Sequence, residues 1–425
     1  MKLLTGIIIL IVLLGARVLV SGQTEPGVSP DQNADGAVDA STQADATSSA
    51  PEVSAPKTRS SFLYGISLLQ GVYEVSADVR STEYILATRP FVGIDFRKDR
   101  YRIHLESSPI ITYVPSHEAA FGVNGFIDPH LLMTFDLSRK WSLTLNTGIQ
   151  YGYQILEFMD LAGRPSEIQL PSPNTAVVQS GRIFDLHGDG VLSWRRTRTQ
   201  ILSFRTGGAY SNISGGYSST ASSDLNSNYA YARTELVQTV KQQSVFTVYG
   251  QVHNVHWNSY ACSSIGTGFG VHTPLTKKSN WGVEVGPEYG VQGCTTTWLL
   301  NLAGWFQWRI DAKSNLSLNA GRDLNAYYLP GHRWADTASA GYHRKISTST
   351  MGDLVAGYVH GSGDGIGGTA YSGFMIGPEF IWKVRPRLDL FATYRHFTNS
   401  YTTSSLVNRN FVTFGITWKP VPVKL

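Results

Sequence analysis

Read along the chain, the residue types able to do chemistry come at alternate positions. His187 stands two residues from both Asp185 and Asp189, and His104 stands two residues from Glu106. On an extended strand such neighbours share one face. A carboxylate there can orient an imidazole for proton transfer, or the set can ligate a metal. On a wall of alternating charges the same residues are plain ion-pair partners. No serine-histidine constellation stands out, and no glycine-rich string follows a strand-helix boundary as a nucleotide site requires. The reading is not that of an enzyme.

Two further groups have informative spacing. Asp31, Asn33, Asp35, Gly36 and Asp39 occupy positions 1, 3, 5, 6 and 9 of a short acidic string. Oxygens so spaced, with a glycine for the tight turn, resemble the first part of the calcium loop of EF-hands and dockerin modules. Position 12 is Thr42 where that loop supplies a bidentate glutamate. The resemblance therefore implies weak calcium binding by Asp31, Asn33, Asp35 and Asp39, and no other cofactor is indicated. An acidic linker also produces such strings by chance. Cys262 and Cys294 lie symmetrically about Lys278. A hairpin centred there brings them face to face on neighbouring strands, where an oxidising compartment lets them join. Two free buried thiols are the alternative.

What must position these residues follows from composition. Charged residues make up 16% and aromatic residues 12%, with 42 glycines; soluble proteins carry roughly 25% charge. Mean hydropathy is -0.11, which excludes a bundle of membrane helices, each needing about 20 consecutive apolar residues. The one such run is LLTGIIILIVLLGARVLV after Lys2, followed by Ser21 and Gly22. It reads as a secretory signal peptide over residues 1–22, with an uncleaved anchor helix as the alternative. Residues 23–60 are rich in Ala, Ser, Thr, Pro and Asp without apolar periodicity, and read as a disordered periplasmic linker. The net charge of +4 gives no case for nucleic acid.

Residues 61–425 alternate with period two. Trp141, Leu143, Leu145, Ile149 and Tyr151 oppose Ser142, Thr144, Asn146, Gly148 and Gln150, and Val412, Phe414, Ile416 and Trp418 oppose Thr413, Gly415 and Thr417. Short polar turns are expected near Lys98, Arg139, Thr197, Gln242, Lys278, Ala312, Ile346 and Pro386, with longer Gly-, Ser- and Asn-rich connections between them. Trp141, Trp194, Trp281, Trp308 and Trp382 each sit near one of these turns, in the manner of an interfacial aromatic girdle. Eight short turns with both termini on their side imply an all-β, single transmembrane, antiparallel up-and-down barrel of about 18 strands; 16 or 14 are also compatible.

In these features the chain resembles bacterial outer-membrane porin-type β-barrels. One departure is that the FVTFGITW strand is followed by KPVPVKL, whereas such barrels commonly end on an aromatic residue read by the assembly machinery. The resemblance implies outer-membrane lipid and that machinery as partners, and small polar solutes as cargo. Because charge on the lipid face is costly, the inward face should carry Asp95, Arg97, Arg102, His104, Glu106, Asp136, Asp185, His187, Asp189, Arg195, Arg205, Arg233, Glu235, Glu284, Glu288, Arg309, Glu379, Asp389 and Arg395. Such a lumen is either a water-filled channel for passive diffusion or a closed network of ion pairs. In the second case the barrel presents loops for adhesion or a partner.

Overall fold

The structure, a computed structural model, describes residues 59–76, 80–113, 123–154, 181–214, 225–240, 244–257, 260–294, 298–324, 334–361, 371–401 and 407–424. The apolar leader, the linker with its Asp31 string, and connections such as 155–180 lie outside the described residues.

Strand segments are the only regular elements described, and all join one antiparallel sheet of 21 segments. Three pairs of segments are single strands interrupted once. Tyr101–Ser107 and Ile110–Tyr113 both pair with Arg80–Lys98 in one register; carried through the gap, that register sets Pro109 opposite Pro90, and neither offers an N–H to the ladder. Val123–Ile127 and His130–Asp136 both pair with Trp141–Gln154 and part at Asp128-Pro129. Val407–Trp418 and Val423–Lys424 both pair with Arg59–Ser76, so the residues after Trp418 resume the last strand past Pro420 and Pro422. Eighteen strands therefore cross the wall. Arg59–Ser76 pairs with Arg80–Lys98 on one side and Val407–Trp418 on the other, which closes the barrel.

Seven of the eight expected short connections are among the described residues, and the strands flanking the eighth, Leu225–Thr239 and Val245–Trp257, pair directly; both ends of the barrel chain lie on the same side. Local side chains build them. The Lys313 N–H donates to Asp311 Oδ1 at 2.6 Å and the Ser314 hydroxyl donates to Oδ2 at 3.3 Å. These bonds hold the exposed Asp311 carboxyl below the usual carboxylate range, the Lys313 N–H contributing most. Ser138 accepts from the Trp141 N–H at 3.2 Å, and Ser347 from the Thr350 N–H at 3.0 Å. Such turns come from short polar side chains bonding their own backbone.

Alternation then sorts the faces. Phe269 is 58% exposed and Val248 59%, and they pair with each other on the outer surface; Phe380, 52% exposed, pairs with Ala392. Trp141 and Trp194 are paired across adjacent strands with rings stacked at 5.6 Å. They share the outward phase with Trp281, Trp308, Trp382 and Trp418, all beside the short turns. This outward band predicts the response to charge. Phe269→Arg, at the middle of its strand, should lower stability by about 2–4 kcal/mol in urea unfolding from lipid vesicles, whereas inward Ser339→Arg should cost under about 1 kcal/mol.

Candidate functional site: the inner wall

Every one of the nineteen charged residues expected on the inner face shares the inward phase of its strand. Height separates them. Arg97, Asp136, Arg195 and Arg309 are exposed at the short-turn rim, with Asp389 two positions beyond a turn. The rest line the wall.

On one arc the wall charges form two linked groups. Arg233 donates to Glu284 across two intervening strands, Nη2 to Oε2 at 3.1 Å, and to Glu235 at 3.1 Å. Its guanidinium lies 4.0 Å over the Tyr249 ring, a favourable cation–π geometry. The intervening strand makes room with glycine: a Cβ on Gly270 would stand 2.9 Å from Glu284 Cγ. One step higher, Glu288 is 1% exposed. It accepts hydrogen bonds from Gln251 at 3.1 Å and His253 at 3.0 Å, and also from Ser264 and Asn301. A buried carboxylate is tolerated only when its oxygens are satisfied in this way.

The opposite arc holds Glu379 and Arg395, both buried, 3.3 Å apart. Arg395 Nη1 also donates to the Gly377 carbonyl at 3.1 Å. Elsewhere Asp95 meets Arg102 at 2.9 Å, His104 meets Glu106 at 3.2 Å, Asp185 meets His187 at 2.8 Å, and Asp189 meets Arg205 at 3.4 Å. The alternate-position spacing is thus used mostly for ion pairing. Among the described residues no three His, Cys, Asp or Glu side chains are arranged to hold a metal ion.

Several inward residues were not foreseen. His343 meets Asp353 at 2.7 Å, Arg89 lies 3.7 Å from Asp128, and Trp305 turns inward with its ring 4.6 Å from that of His272. The inward phase carries their signal; the interruptions at Pro90, Pro109 and Pro129 obscure it for Arg89 and Asp128. Over one arc the inward face mixes charged and apolar side chains, Glu379, Arg395 and Arg409 among them. Leu69, Ile85, Ile110, Val355, Phe397 and Phe411 are inward and buried. Val355, Met375 and Phe397 pack on one another, so these side chains meet protein rather than water.

Cys262 and Cys294 are disulfide-bonded, with Cα atoms 4.6 Å apart. Their approach depends on a register change. Through most of the hairpin the ladder is centred one residue before Lys278, pairing Pro274 with Asn280 and Gly266 with Glu288; an irregularity at Ser263/Ser264 then shifts it towards the cysteines. Gly293, at φ 71°, sits where the strand ends, a conformation that favours glycine.

No protein-family model and no curated protein matches the chain. Solved structures similar to it include Pseudomonas aeruginosa OccK2 (OpdF), 11% identical over 84% of this chain and 98% of that one, with a TM-score of 0.44. OccK9 (OpdG) of the same organism is 9% identical over 85% and 98%, at 0.46. Acinetobacter baumannii OccAB3 is 9% identical over 84% and 99%, at 0.42. By its own strand number, closure and outward apolar band, the chain has the architecture of a porin-like outer-membrane β-barrel.

The buried carboxylate gives a test of the wall. Glu288→Ala leaves four donors on three strands without their acceptor and should destabilise the barrel by about 3–5 kcal/mol, read as a lowered urea midpoint. Glu288→Gln, which keeps an acceptor oxygen, should cost less.

Proposed function

We propose that the barrel is an outer-membrane channel for passive diffusion of small polar solutes. The carrying observation is the closure of eighteen strands around inward charge. Strands about 4.8 Å apart and tilted by roughly 40° close on a circle about 35 Å across, wider than wall side chains fill. Charges such as Arg233, Glu284, Asp189 and Arg205 give this wall polarity, and their mixed signs limit ion selectivity. In this reading residues 1–22 direct export and residues 23–58 lie in the periplasm, since Arg59 and Ser60, expected in the linker, already pair in the first strand.

The test is single-channel recording of the purified protein in a planar bilayer in potassium chloride. Stepwise, voltage-tolerant openings are expected, and Arg233→Glu should move the reversal potential in a salt gradient towards cations. Silence from protein that circular dichroism shows to be a folded barrel would sink the channel reading.

A further inference from the structure

Charge on this barrel is sorted by height. After residue 59 every lysine lies in, or within three residues of, one of the eight short turns, or follows Trp418. Lys98, Lys140, Lys278, Lys313, Lys345 and Lys383 are all exposed. Arg100, Arg139, Arg196, Arg198 and Arg387 add to the same rim and are exposed as well. The acids at this level are few: Asp99, Asp136, Asp311 and Asp389, and the Asp311 carboxylate is engaged by its own turn. Among the described residues, the wall ion pairs use arginine or histidine and none uses a lysine. Successive turns stand about 12 Å apart on the circle estimated above, comparable with the screening length of about 8 Å at physiological salt. Their fields therefore overlap into one cationic ring around the mouth.

The chain carries the complementary charge next to that ring. It enters the barrel at Arg59, which pairs with Arg97 beside the first short turn. Immediately upstream, residues 23–58 hold Glu25, Asp31, Asp35, Asp39, Asp45 and Glu52 against the single cation Lys57. A random-coil chain of that length has an r.m.s. span of about 35 Å, comparable with the barrel diameter estimated above. From its tether on the rim it can reach the opposite turns. Ala, Ser, Thr and Pro supply no apolar anchor, so charge alone would hold it.

We propose that the acidic segment 23–58 docks on the lysine- and arginine-rich ring of short turns. The contact is intramolecular, sensitive to salt, and independent of whether the lumen conducts.

The test uses the chain from Gln23 onwards with the photo-crosslinking residue p-benzoyl-phenylalanine in place of Ala44, in nanodiscs of neutral lipid and of lipid containing phosphatidylglycerol. Adducts mapped by mass spectrometry should fall in several short turns, including those around Lys140 and Lys313. They should drop at least fivefold in the E25Q/D31N/D35N/D39N/D45N/E52Q variant, and likewise in about 0.5 M sodium chloride, where screening shortens to roughly 4 Å. Adduct yield unchanged in the neutralised variant would overturn the proposal, as would adducts scattered away from the turns. Loss of the adducts only in discs containing phosphatidylglycerol would assign the ring to anionic lipid headgroups and overturn it too.

Discussion

In hydrocarbon a backbone N–H or C=O without a partner costs several kcal/mol, and no water is present to supply one. A strand has its partners on neighbouring strands, so a sheet that crosses a membrane must have no edge. Here the constraint is met by pairing Arg59–Ser76 with both Arg80–Lys98 and Val407–Trp418. Several prolines fall where pairing breaks, while Pro274, Pro287 and Pro378 lie within paired strands. Pro90, Pro109 and Pro129 gather around the two wall interruptions, where missing donors face one another or a gap. Pro420 and Pro422 fall in the break before the last two paired residues. Side-chain chemistry is arranged on a backbone already fixed by this demand.

Once closed, the sheet leaves each strand one face for lipid and one for the interior, and polar residues have only the second to occupy. Concentrating charge there raises its own cost, because a carboxylate removed from water needs replacement donors. Two solutions appear on opposite arcs. Glu288 is satisfied by neutral or imidazole donors from three other strands. Glu379 relies on Arg395, and its second oxygen has no hydrogen-bond partner, so the charge of one guanidinium carries most of the compensation. The Glu288 site therefore ties strands together, while the Glu379 site holds two residues against each other.

The period-two pattern made the fold legible because closure enforces it in every strand. Trp141 to Tyr151 and Val412 to Trp418 read directly, and the eight short turns fixed eighteen strands. The inward phase of the charged residues followed from the same rule. Their partners did not. Arg233 reaches Glu284 past two strands, and that contact depends on glycine at 270, a detail of depth that alternation cannot carry. The apolar inner arc was hidden for a related reason: Leu69, Ile85 and Val359 flank outward apolar residues, so both phases look alike there. The cysteine pairing was visible as symmetry about Lys278, although the ladder reaches it through a register change that no spacing announces.

The division between lysine and arginine follows from where water is available. A lysine ammonium is a compact, strongly hydrated charge, whereas the arginine guanidinium is planar, less strongly hydrated and able to hold several acceptors at once. Inside the wall Arg233 bonds two carboxylates and lies over a ring, and Arg395 bonds a carboxylate and backbone carbonyls. A lysine at either place would leave acceptors unmet. At the rim, where water solvates the charge, that advantage disappears, and lysine stands beside arginine there. The partition therefore marks the level at which the barrel passes from a desolvated wall to an aqueous mouth, and it does so from side-chain chemistry independent of the tryptophan girdle. Both place that boundary at the short turns.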